Sequence, residues 1–502
     1  MLKESRRVKG NNQKKGKLNS NNRSSRINKL TNKSSIYIIN NVIENDDVIN
    51  SELTETPVNM GADDLCGKNE GNDIYAGFAT MLKNPNVIMI PNKAKRSIMK
   101  YLPKPLLDKI HGGTKTIKNR QAALELCLLF LCQLSSTYRN IKNGSNPDGW
   151  KTLRAEYLRQ LLWIDDKTYQ NVIKALEYSY QNGKIIECGH HVIGVHSRKY
   201  RLGLGYRGKG FEPYHLTTDK VKDLSKKSCE RKIRLAENNI ICVNLIEFYK
   251  TIVLPTEKEI EEEASRLIKV GYRNKKGKIL IYRNKKGDGY FKDIDKFCFV
   301  EDAMKIFNYL TKNGLLIPRP GNDKSGGRIV DSLVLMPSWI RKLIKISGQP
   351  IAEADYSCLH PNIAMTLYGG NSKCLKHEDL AKDLEIDRQT VKVEHLSFFN
   401  KNVHQMKISP LFQYYQKHES GMLNAIIAEK QKSEHKHKIT SRRLFAKEVQ
   451  IMTEVISRLN EEAIFVGYVF DALLFDLVHA EKVKEVMDEV ASELGVFTVA
   501  KI

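Results

Sequence analysis

Short apolar runs that end at an acidic residue organise the C-terminal third of the chain. Residues 351–354 predict a strand that stops at Asp355, and residues 463–469 and 472–477 predict a hairpin with Asp471 at its tip. Apolar runs of about four to eight residues between turn residues are typical of buried strands. We therefore expect two carboxylates at the ends of strands that can lie close together.

Between these aspartates the pattern changes to a helical one. Arg388, Lys392, Leu396 and Asn400 recur every fourth residue, which places them on one face of a helix that Asp387 can cap. A long helix is predicted over residues 443–459, leading into the hairpin. We interpret Glu448, within that helix, as structural.

The N-terminal half predicts a second helical unit. Residues 121–134 are apolar enough for a core helix, and residues 153–163 and 167–181 predict two helices around a short turn. Two short strands follow, over residues 184–187 and 200–202. Helix, turn, helix, hairpin is the order of a winged helix, which reads DNA with its second helix but also serves as a protein-contact module. The groove and wing candidates are Lys167, Thr168, Gln170, Asn171, Lys174, His196, Arg198 and Lys199.

Residues 211–325 contain a duplicated basic hexamer, at residues 272–277 and 282–287. Aromatic residues among lysines and arginines suit a hairpin that follows a nucleic-acid backbone, although a solvated loop fits the same pattern. A helix over residues 257–270 is interpreted as thumb-like.

Composition indicates a polyanionic partner. The chain has 502 residues, 41% of them hydrophobic, and a net charge of +24. That length predicts two or three domains, and that charge suits nucleic acid. Residues 1–34 carry eleven Lys or Arg against one acid, which predicts a disordered basic tail. No apolar run long enough for a membrane span and no secretory signal are recognised, so we expect no membrane partner and a cytoplasmic location.

The cysteine pattern gives no metal or disulfide prediction. Nine cysteines are scattered without a C-x-x-C pair, so neither a disulfide framework nor a zinc ribbon is expected. Cys188, His190 and His191 have no matching ligand pair nearby and are interpreted as a polar loop.

Three motifs together resemble family A DNA polymerases. Asp355-Tyr356-Ser357 is similar to motif A, Asp471 to the aspartate of motif C, and the face of Arg388 and Lys392 to the motif B fingers helix. Upstream, the succession Gly326, Gly327, Arg328, Pro337, Arg341, Gly348 resembles the run that leads into motif A. The resemblance covers about residues 325–502. It extends to single-subunit RNA polymerases and is strongest to compact phage and plasmid enzymes.

The resemblance implies a role for each matching residue. Asp355 and Asp471 would be catalytic and would bind two Mg²⁺ ions, or Mn²⁺ in their place. The nucleotide-binding set would be Arg388, Lys392, Leu396, Asn400, His360 and Tyr356, with His360 gating the sugar. Arg328 and Arg341 would contact primer or template. Phe470, Ala472, Asn400 and His360 depart from the family pattern, which leaves the choice of sugar open.

We therefore expect an α+β protein with a right-hand polymerase palm. The predicted divisions are a disordered tail and linker (1–72), a mostly helical winged-helix-like DNA-binding domain (73–210), a connector or thumb-like region (211–325), and a palm (326–502) with a small fingers insertion at about 371–440. The expected activity is nucleotidyl transfer by a DNA-directed DNA polymerase that replicates a phage, plasmid or other mobile element. Its partners would be primer-template, duplex DNA and nucleoside triphosphates. The alternatives are a single-subunit RNA polymerase, a reverse transcriptase, a primer-independent synthesis enzyme, or a non-catalytic DNA-binding replication initiator with a degenerate palm.

Overall fold

Two hydrophobic cores organise the part of the chain that the structure describes. In the computed structural model this part comprises residues 84–110, 116–135, 137, 148–190, 197–274, 277–283, 296–312, 315–372 and 374–502. Buried residues from Ile88 to Leu224 form the first core, and buried residues from Cys229 to Ala500 form the second. The predicted tail and linker over residues 1–72, and His196, lie outside the described residues.

The first core is built from helices and very short strands. The helices are α1 (Ala94–Tyr101), α2 (Lys104–Ile110), α3 (Ile117–Cys132), α4 (Ala155–Leu162) and α5 (Asp166–Leu176); the strands are β1 (Val87–Pro91), β2 (Lys151–Thr152), β3 (Ser179–Tyr180), β4 (Gly183–Lys184), β5 (Ile186–Cys188), β6 (Lys199–Leu202) and β7 (Phe211–His215). β1 pairs with β7 and β3 with β4, and a three-stranded sheet has the order β2-β6-β5. The predicted pair of helices followed by strands is present, with the helix ends shifted by up to five residues.

The central helix of this core, α3, is apolar on nearly all sides and carries one buried acid. Glu125 is inaccessible to solvent, and burial of an unpartnered charge would be costly. Its Oε1 accepts hydrogen bonds from the Tyr214 hydroxyl (2.9 Å) and Thr217 N (2.8 Å), and its Oε2 accepts from Thr218 N (3.0 Å). Glu125 thus ties α3 to the segment that follows β7.

One helix belongs to both cores. α6 (Asp219–Glu237) contributes Val221 and Leu224 to the first core and Cys229 and Ile233 to the second. The second core then takes buried residues continuously from this helix into the C-terminal sheet. The predicted boundary near residue 325 therefore does not coincide with a break in the core.

The second core has the following elements. The helices are α7 (Ile240–Phe248), α8 (Glu257–Lys269), α9 (Val300–Thr311), α10 (Ser332–Leu335), α11 (Ser338–Arg341), α12 (Leu359–Tyr368), α13 (His377–Asp383), α14 (Arg388–Phe398), α15 (Val403–Ile408), α16 (Pro410–His418), α17 (Ser420–Lys432), α18 (Ile439–Glu461) and α19 (Ala480–Glu493). The strands are β8 (Ile252–Val253), β9 (Ile279–Ile281), β10 (Phe297–Phe299), β11 (Lys345–Ile346), β12 (Gln349–Pro350), β13 (Ala352–Tyr356), β14 (Gly467–Val469), β15 (Ala472–Phe475) and β16 (Ala500–Lys501).

A four-stranded antiparallel sheet lies at the centre of this core. Its strand order is β14-β15-β13-β16, so the predicted hairpin pairs directly with the predicted strand before Asp355. α19 packs on β13 and β16, and α7 packs on β14. Asn244 of α7 anchors the hairpin, because its amide donates to Val466 O (2.6 Å) and its Oδ1 accepts from Val466 N (2.9 Å).

The described residues on either side of positions 275–276 in the first basic hexamer are bonded to each other. Asn274 N donates to Lys278 O (2.9 Å), and Arg273 forms an antiparallel bridge with Ile279. β9, which follows, pairs in parallel with β10. Residues 275–276 of the first copy and 284–287 of the second lie outside the described residues, so the basic hairpin stays a prediction.

The described chain combines many helices with small sheets, which confirms the predicted mixed class of helix and sheet. Among the described helices none is both long enough and apolar enough to cross a bilayer.

Candidate active site

The sheet brings the two predicted aspartates together. Asp355 in β13 is paired with Ala472 in β15, the residue directly after Asp471. Tyr356 N donates a hydrogen bond to Asp471 O at 3.3 Å. The hairpin turns through Phe470, whose φ of 63° is in the left-handed region. Both aspartates are partly exposed. Two aspartates from distant parts of the sequence therefore occupy neighbouring backbone positions at one end of the sheet.

A buried ion pair lies beside the aspartates. Arg328 donates from Nε to Glu448 Oε1 at 2.7 Å and from Nη2 to Glu448 Oε2, which makes the pair bidentate. The His360 Nε2 is 2.7 Å from the same Oε2. Since a carboxylate only accepts, His360 must donate from Nε2, and its 3.1 Å approach to Arg328 Nη2 is then a contact between two donors. Both oxygens of Glu448 are thus engaged by protein groups.

The charges around this pair shift the pKa of each acid. Burial would raise the pKa of Glu448, but the Arg328 charge and the His360 hydrogen bond outweigh burial and lower that pKa to about 2. Burial raises the pKa of Asp471, and the negative charge of Glu448 adds to that effect, while His360 and Arg328 oppose it. The two acids are therefore held in different environments, with Glu448 firmly ionised.

Aromatic rings enclose the Arg328 guanidinium. Its Cζ lies 3.6 Å from the centre of the Phe445 ring and 4.6 Å from the centre of the Phe470 ring. Such contacts stabilise a desolvated cation, by about 2 kcal/mol in favourable cases. Phe470, which stands where the resemblance expects His, therefore contacts the ion pair.

The glycines before Arg328 allow its backbone to approach α18. Gly326 has φ 63°, and a Cβ added there would lie 2.5 Å from Phe445 Cβ and 2.7 Å from Ala446 N. Asn322 starts the short turn, since its Oδ1 accepts from Ser325 N at 3.1 Å. Only glycine fits so close to a helix backbone in this conformation. The two glycines of Gly326-Gly327-Arg328 thus let the backbone come close enough to α18 for the Arg328 guanidinium to bond to Glu448.

The predicted fingers helix is present as α14, capped by Asp387, whose Oδ1 accepts from Thr390 N at 3.0 Å. Arg388, Lys392 and Leu396 are exposed along one face. Arg388 Nε donates to Glu378 Oε1 at 2.6 Å, in a pair that is half-exposed. Asn400 follows the helix, and its Oδ1 accepts from the Ser441 hydroxyl at 3.2 Å. The basic stripe is therefore accessible, and Asn400 bonds to α18.

Three of the predicted contact residues are buried instead. Arg328 is 7% exposed and is bonded to Glu448, so its predicted contact with primer or template does not fit this position. Tyr356 is 4% exposed and donates its hydroxyl to Met487 O at 2.6 Å. Arg341 is 5% exposed, and its Nη1 donates to Leu333 O at 2.9 Å; burial lowers the pKa of this guanidinium. The expectation that Tyr356 binds nucleotide and Arg341 binds nucleic acid does not fit these positions. Sequence alone could not reveal which face of the strand or turn each side chain would take.

The predicted groove helix, α5, presents part of its candidate set to solvent. Lys167 and Lys174 are exposed, and Thr168 and Gln170 are partly exposed. Asn171 packs toward α2, where its amide donates to Lys109 O at 3.1 Å. On β6 and just before it, Lys199 is exposed and Arg198 partly exposed. Lysines from α5 and β6 thus provide accessible positive charge on the first core.

Glu448 is the residue of this site whose partner sequence reasoning missed. It lies on α18 and is interpreted from the sequence as structural, with no partner assigned. Its burial and its partner Arg328, far away in the sequence, are what distinguish it. An acid within the buried stripe Leu444, Ile451, Met452 was the available signal, because an ionised group there requires a partner.

Comparison with known proteins gives no family. No protein-family model matches the chain, and no curated protein is significantly similar to it. Function must therefore be inferred from the site itself.

Proposed function

We propose that this chain is a template-directed nucleotidyltransferase, and specifically a DNA-directed DNA polymerase of family A type. The observation that carries the proposal is that Asp355, in β13, pairs with Ala472, the residue directly after Asp471, so the two aspartates are neighbours at one end of the sheet. Paired carboxylates at strand ends supply the oxygen ligands that Mg²⁺ prefers. Such a pair can hold two ions, roughly 3.5–4 Å apart in enzymes that transfer phosphoryl or nucleotidyl groups.

Each neighbouring residue has a role in this proposal. Asp355 and Asp471 would hold Mg²⁺, which when bound lowers the pKa of a primer 3′-hydroxyl and neutralises charge on the leaving pyrophosphate. Arg388 and Lys392, exposed on α14, would bind the triphosphate. Arg328 and Glu448 act as positioning residues, because their ion pair holds His360 and the Phe470 turn next to Asp471.

The surrounding architecture is consistent with a palm and a fingers insertion. The four-stranded antiparallel sheet carries both aspartates, and α19 covers one of its faces. Helices α13 to α17 come between β13 and α18, as the predicted fingers insertion at about 371–440 requires.

The first core supports a DNA-binding role for the N-terminal half. Its order is α3, β2, α4, α5, the short pair β3 and β4, then β5 and β6. Apart from that short pair, this order and the sheet order β2-β6-β5 are typical of winged-helix modules. Lys167, Lys174 and Lys199 are exposed on the helix and strand that such modules turn toward DNA. A net charge of +24 adds long-range attraction to a polyanion.

Primer extension by the full-length protein tests the proposal. The assay offers a DNA primer-template, Mg²⁺, and deoxynucleotides or ribonucleotides in separate reactions. Asp355→Asn and Asp471→Asn keep side-chain size but remove the charge, so we expect extension to fall at least about a thousandfold, a transition-state loss of about 4 kcal/mol. The matched control is Asp476→Asn, which lies beyond β15 and caps the next turn through Val478 N at 3.3 Å.

The results separate the candidate functions. Extension that both substitutions abolish and Asp476→Asn retains supports the proposal, and incorporation of ribonucleotides alone would identify an RNA polymerase. Extension that withstands both substitutions would contradict the assigned catalytic pair. Duplex binding without extension in any protein would favour the non-catalytic initiator.

A further inference from the structure

A compact set of soft metal ligands lies just beyond the Asp355 turn. Cys358, His377 and His395 each offer a ligand atom, and these atoms lie within 4.8 Å of one another. The three residues come from separate elements: Cys358 directly precedes α12, His377 begins α13, and His395 lies on α14. Such convergence of one thiol and two imidazoles is not explained by the nucleotidyl-transfer site.

His395 provides a second, independent observation. It is 7% exposed, its Nε2 lies 2.8 Å from the Tyr415 hydroxyl, and its buried Nδ1 has no hydrogen-bond partner. A buried polar atom without a partner costs free energy unless another group satisfies it. If Nε2 donates to Tyr415, the Nδ1 lone pair is free, which is the arrangement that metal-binding histidines adopt.

We propose that Cys358, His377 and His395 bind a zinc-class divalent ion, with Cys374 as the fourth ligand. Cys374 stands three residues before His377 and is exposed. The intervening Leu375 is fixed beside Cys358, because Asn362 accepts from Leu375 N at 2.6 Å and its Nδ2 lies 3.1 Å from both Leu375 O and Cys358 O. These bonds hold the backbone directly after Cys374 beside Cys358.

Burial acts on each of the three clustered side chains. Burial and the charges of Arg388 and Lys392 lower the pKa of His377 to about 4, and burial lowers the pKa of His395 well below its usual value. Burial raises the pKa of the Cys358 thiol, so metal binding must break its S–H bond, form the S–metal bond and release the proton to solvent.

The ligand set and spacing distinguish this site from the aspartate pair. Thiolate and imidazole favour Zn²⁺ or Co²⁺, whereas Mg²⁺ requires oxygen ligands. Tetrahedral zinc, with bonds of about 2.0–2.3 Å, holds its ligand atoms about 3.3–3.8 Å apart. The ligand atoms of Cys358, His377 and His395, all within 4.8 Å of one another, would have to approach by about 1–1.5 Å at most to reach these distances. A bound ion would fix the turn after Asp355 to α13 and α14.

Cobalt titration of the full-length, reduced, chelator-treated protein tests the site without any activity assay. We expect one equivalent of Co²⁺ to bind, with a thiolate-to-cobalt charge-transfer band and the visible bands of tetrahedral cobalt, and Zn²⁺ to displace it. Cys358→Ser and Cys374→Ser should each remove about half of the charge-transfer intensity. His377→Gln and His395→Gln should weaken binding at least about a hundredfold, which is the upper end of the loss that removal of an outer-shell partner typically causes.

Cys188→Ser and His404→Gln are the matched controls, since both residues lie outside the cluster, and both proteins should bind cobalt like the wild type. Circular dichroism verifies that each variant is folded. His377 is partly exposed, so His377→Gln still tests the site if substitutions at the buried residues Cys358 and His395 unfold the protein. Wild-type protein without a thiolate band would overturn the proposal, as would a band that survives all four cluster substitutions. A charge-transfer band that disappears in Cys358→Ser but is unchanged in Cys374→Ser would contradict the assignment of Cys374 as the fourth ligand.

Discussion

The guanidinium of Arg328 and the carboxylate of Glu448 form a buried bidentate ion pair beside Asp471. Arg328 follows two glycines and Glu448 lies on α18, so the pair joins two distant segments at the aspartate pair. Glu448 also accepts a hydrogen bond from His360. Because Glu448 accepts from both residues, it links the turn before Arg328, the helix α18 and the His360 imidazole in one fixed arrangement.

Replacing Glu448 should strongly destabilise the protein. Glu448→Gln leaves Arg328 as a buried charge without its counter-ion, and breaking such a pair typically costs about 3–5 kcal/mol. Denaturant unfolding measures this loss. The matched control, Glu454→Gln on the same helix, removes a half-exposed partner of Arg458 and should cost under about 1 kcal/mol. Equal losses of unfolding free energy in the two variants would show that the buried Arg328–Glu448 pair stabilises the protein no more than an exposed pair does.

The stability difference between wild type and Glu448→Gln should depend on pH. The pKa of Glu448 is about 2 in the folded protein against an ordinary 4.5, so ionised Glu448 favours the folded state. That contribution is fully present above about pH 4.5 and is lost as pH falls toward 2. The wild type should therefore lose its advantage over Glu448→Gln across this range, as followed by unfolding midpoints at pH 7, 5, 4 and 3. A constant difference would contradict the lowered pKa.

Neighbouring glycines should respond differently to the same substitution. In Gly326→Ala the new Cβ meets Phe445 Cβ at 2.5 Å, so overpacking of about 1–3 kcal/mol adds to about 1–2 kcal/mol for the left-handed backbone. In Gly327→Ala the nearest atom is Val449 Cγ1 at 3.6 Å, so the backbone cost alone should remain. Thermal unfolding of the two variants provides the comparison. A Gly327→Ala protein as unstable as Gly326→Ala would argue against close packing on α18.

Exposed lysines of α5 should dominate duplex binding by the first core. Lys167→Ala combined with Lys174→Ala should weaken binding across all sequences and reduce the salt slope of log affinity by about one for each phosphate that is no longer neutralised. Asn171→Ala is the control, because its amide is bonded to Lys109 O. Fluorescence anisotropy of labelled duplex over a series of salt concentrations measures both quantities. An unchanged slope in the double variant would place the DNA-binding surface elsewhere.

Local sequence signals predicted much of the framework around the candidate site. Apolar runs marked the strand before Asp355 and the hairpin around Asp471, and Asp387 marked the start of α14. These features depend on residues within a few positions of each other, so turn and capping chemistry identify them. The close glycines before Arg328 were likewise visible as a motif, although their contact with α18 was not.

The parts that sequence did not predict depend on contacts between distant segments. No residue near Glu448 in the sequence indicates that Arg328 is its partner. Cys358 and His395 are too far apart in the sequence to form a recognised metal-binding motif. Burial also places some predicted ligand-binding residues in the core. Tyr356, for example, donates its hydroxyl to Met487 O. Such placement arises from the packing of whole elements, which residue patterns do not encode locally.

The continuous helix α6 has its first buried residues in one core and its last buried residues in the other. Its nineteen residues extend about 28 Å without a hinge, at about 1.5 Å per residue. The angle about the helix axis between Leu224 and Ile233 therefore contributes to the orientation of one core relative to the other, together with contacts such as that between the Ser135 and Tyr309 hydroxyls. Inserting one residue between them would turn the two halves by about 100° about the helix axis, even though no buried side chain is replaced.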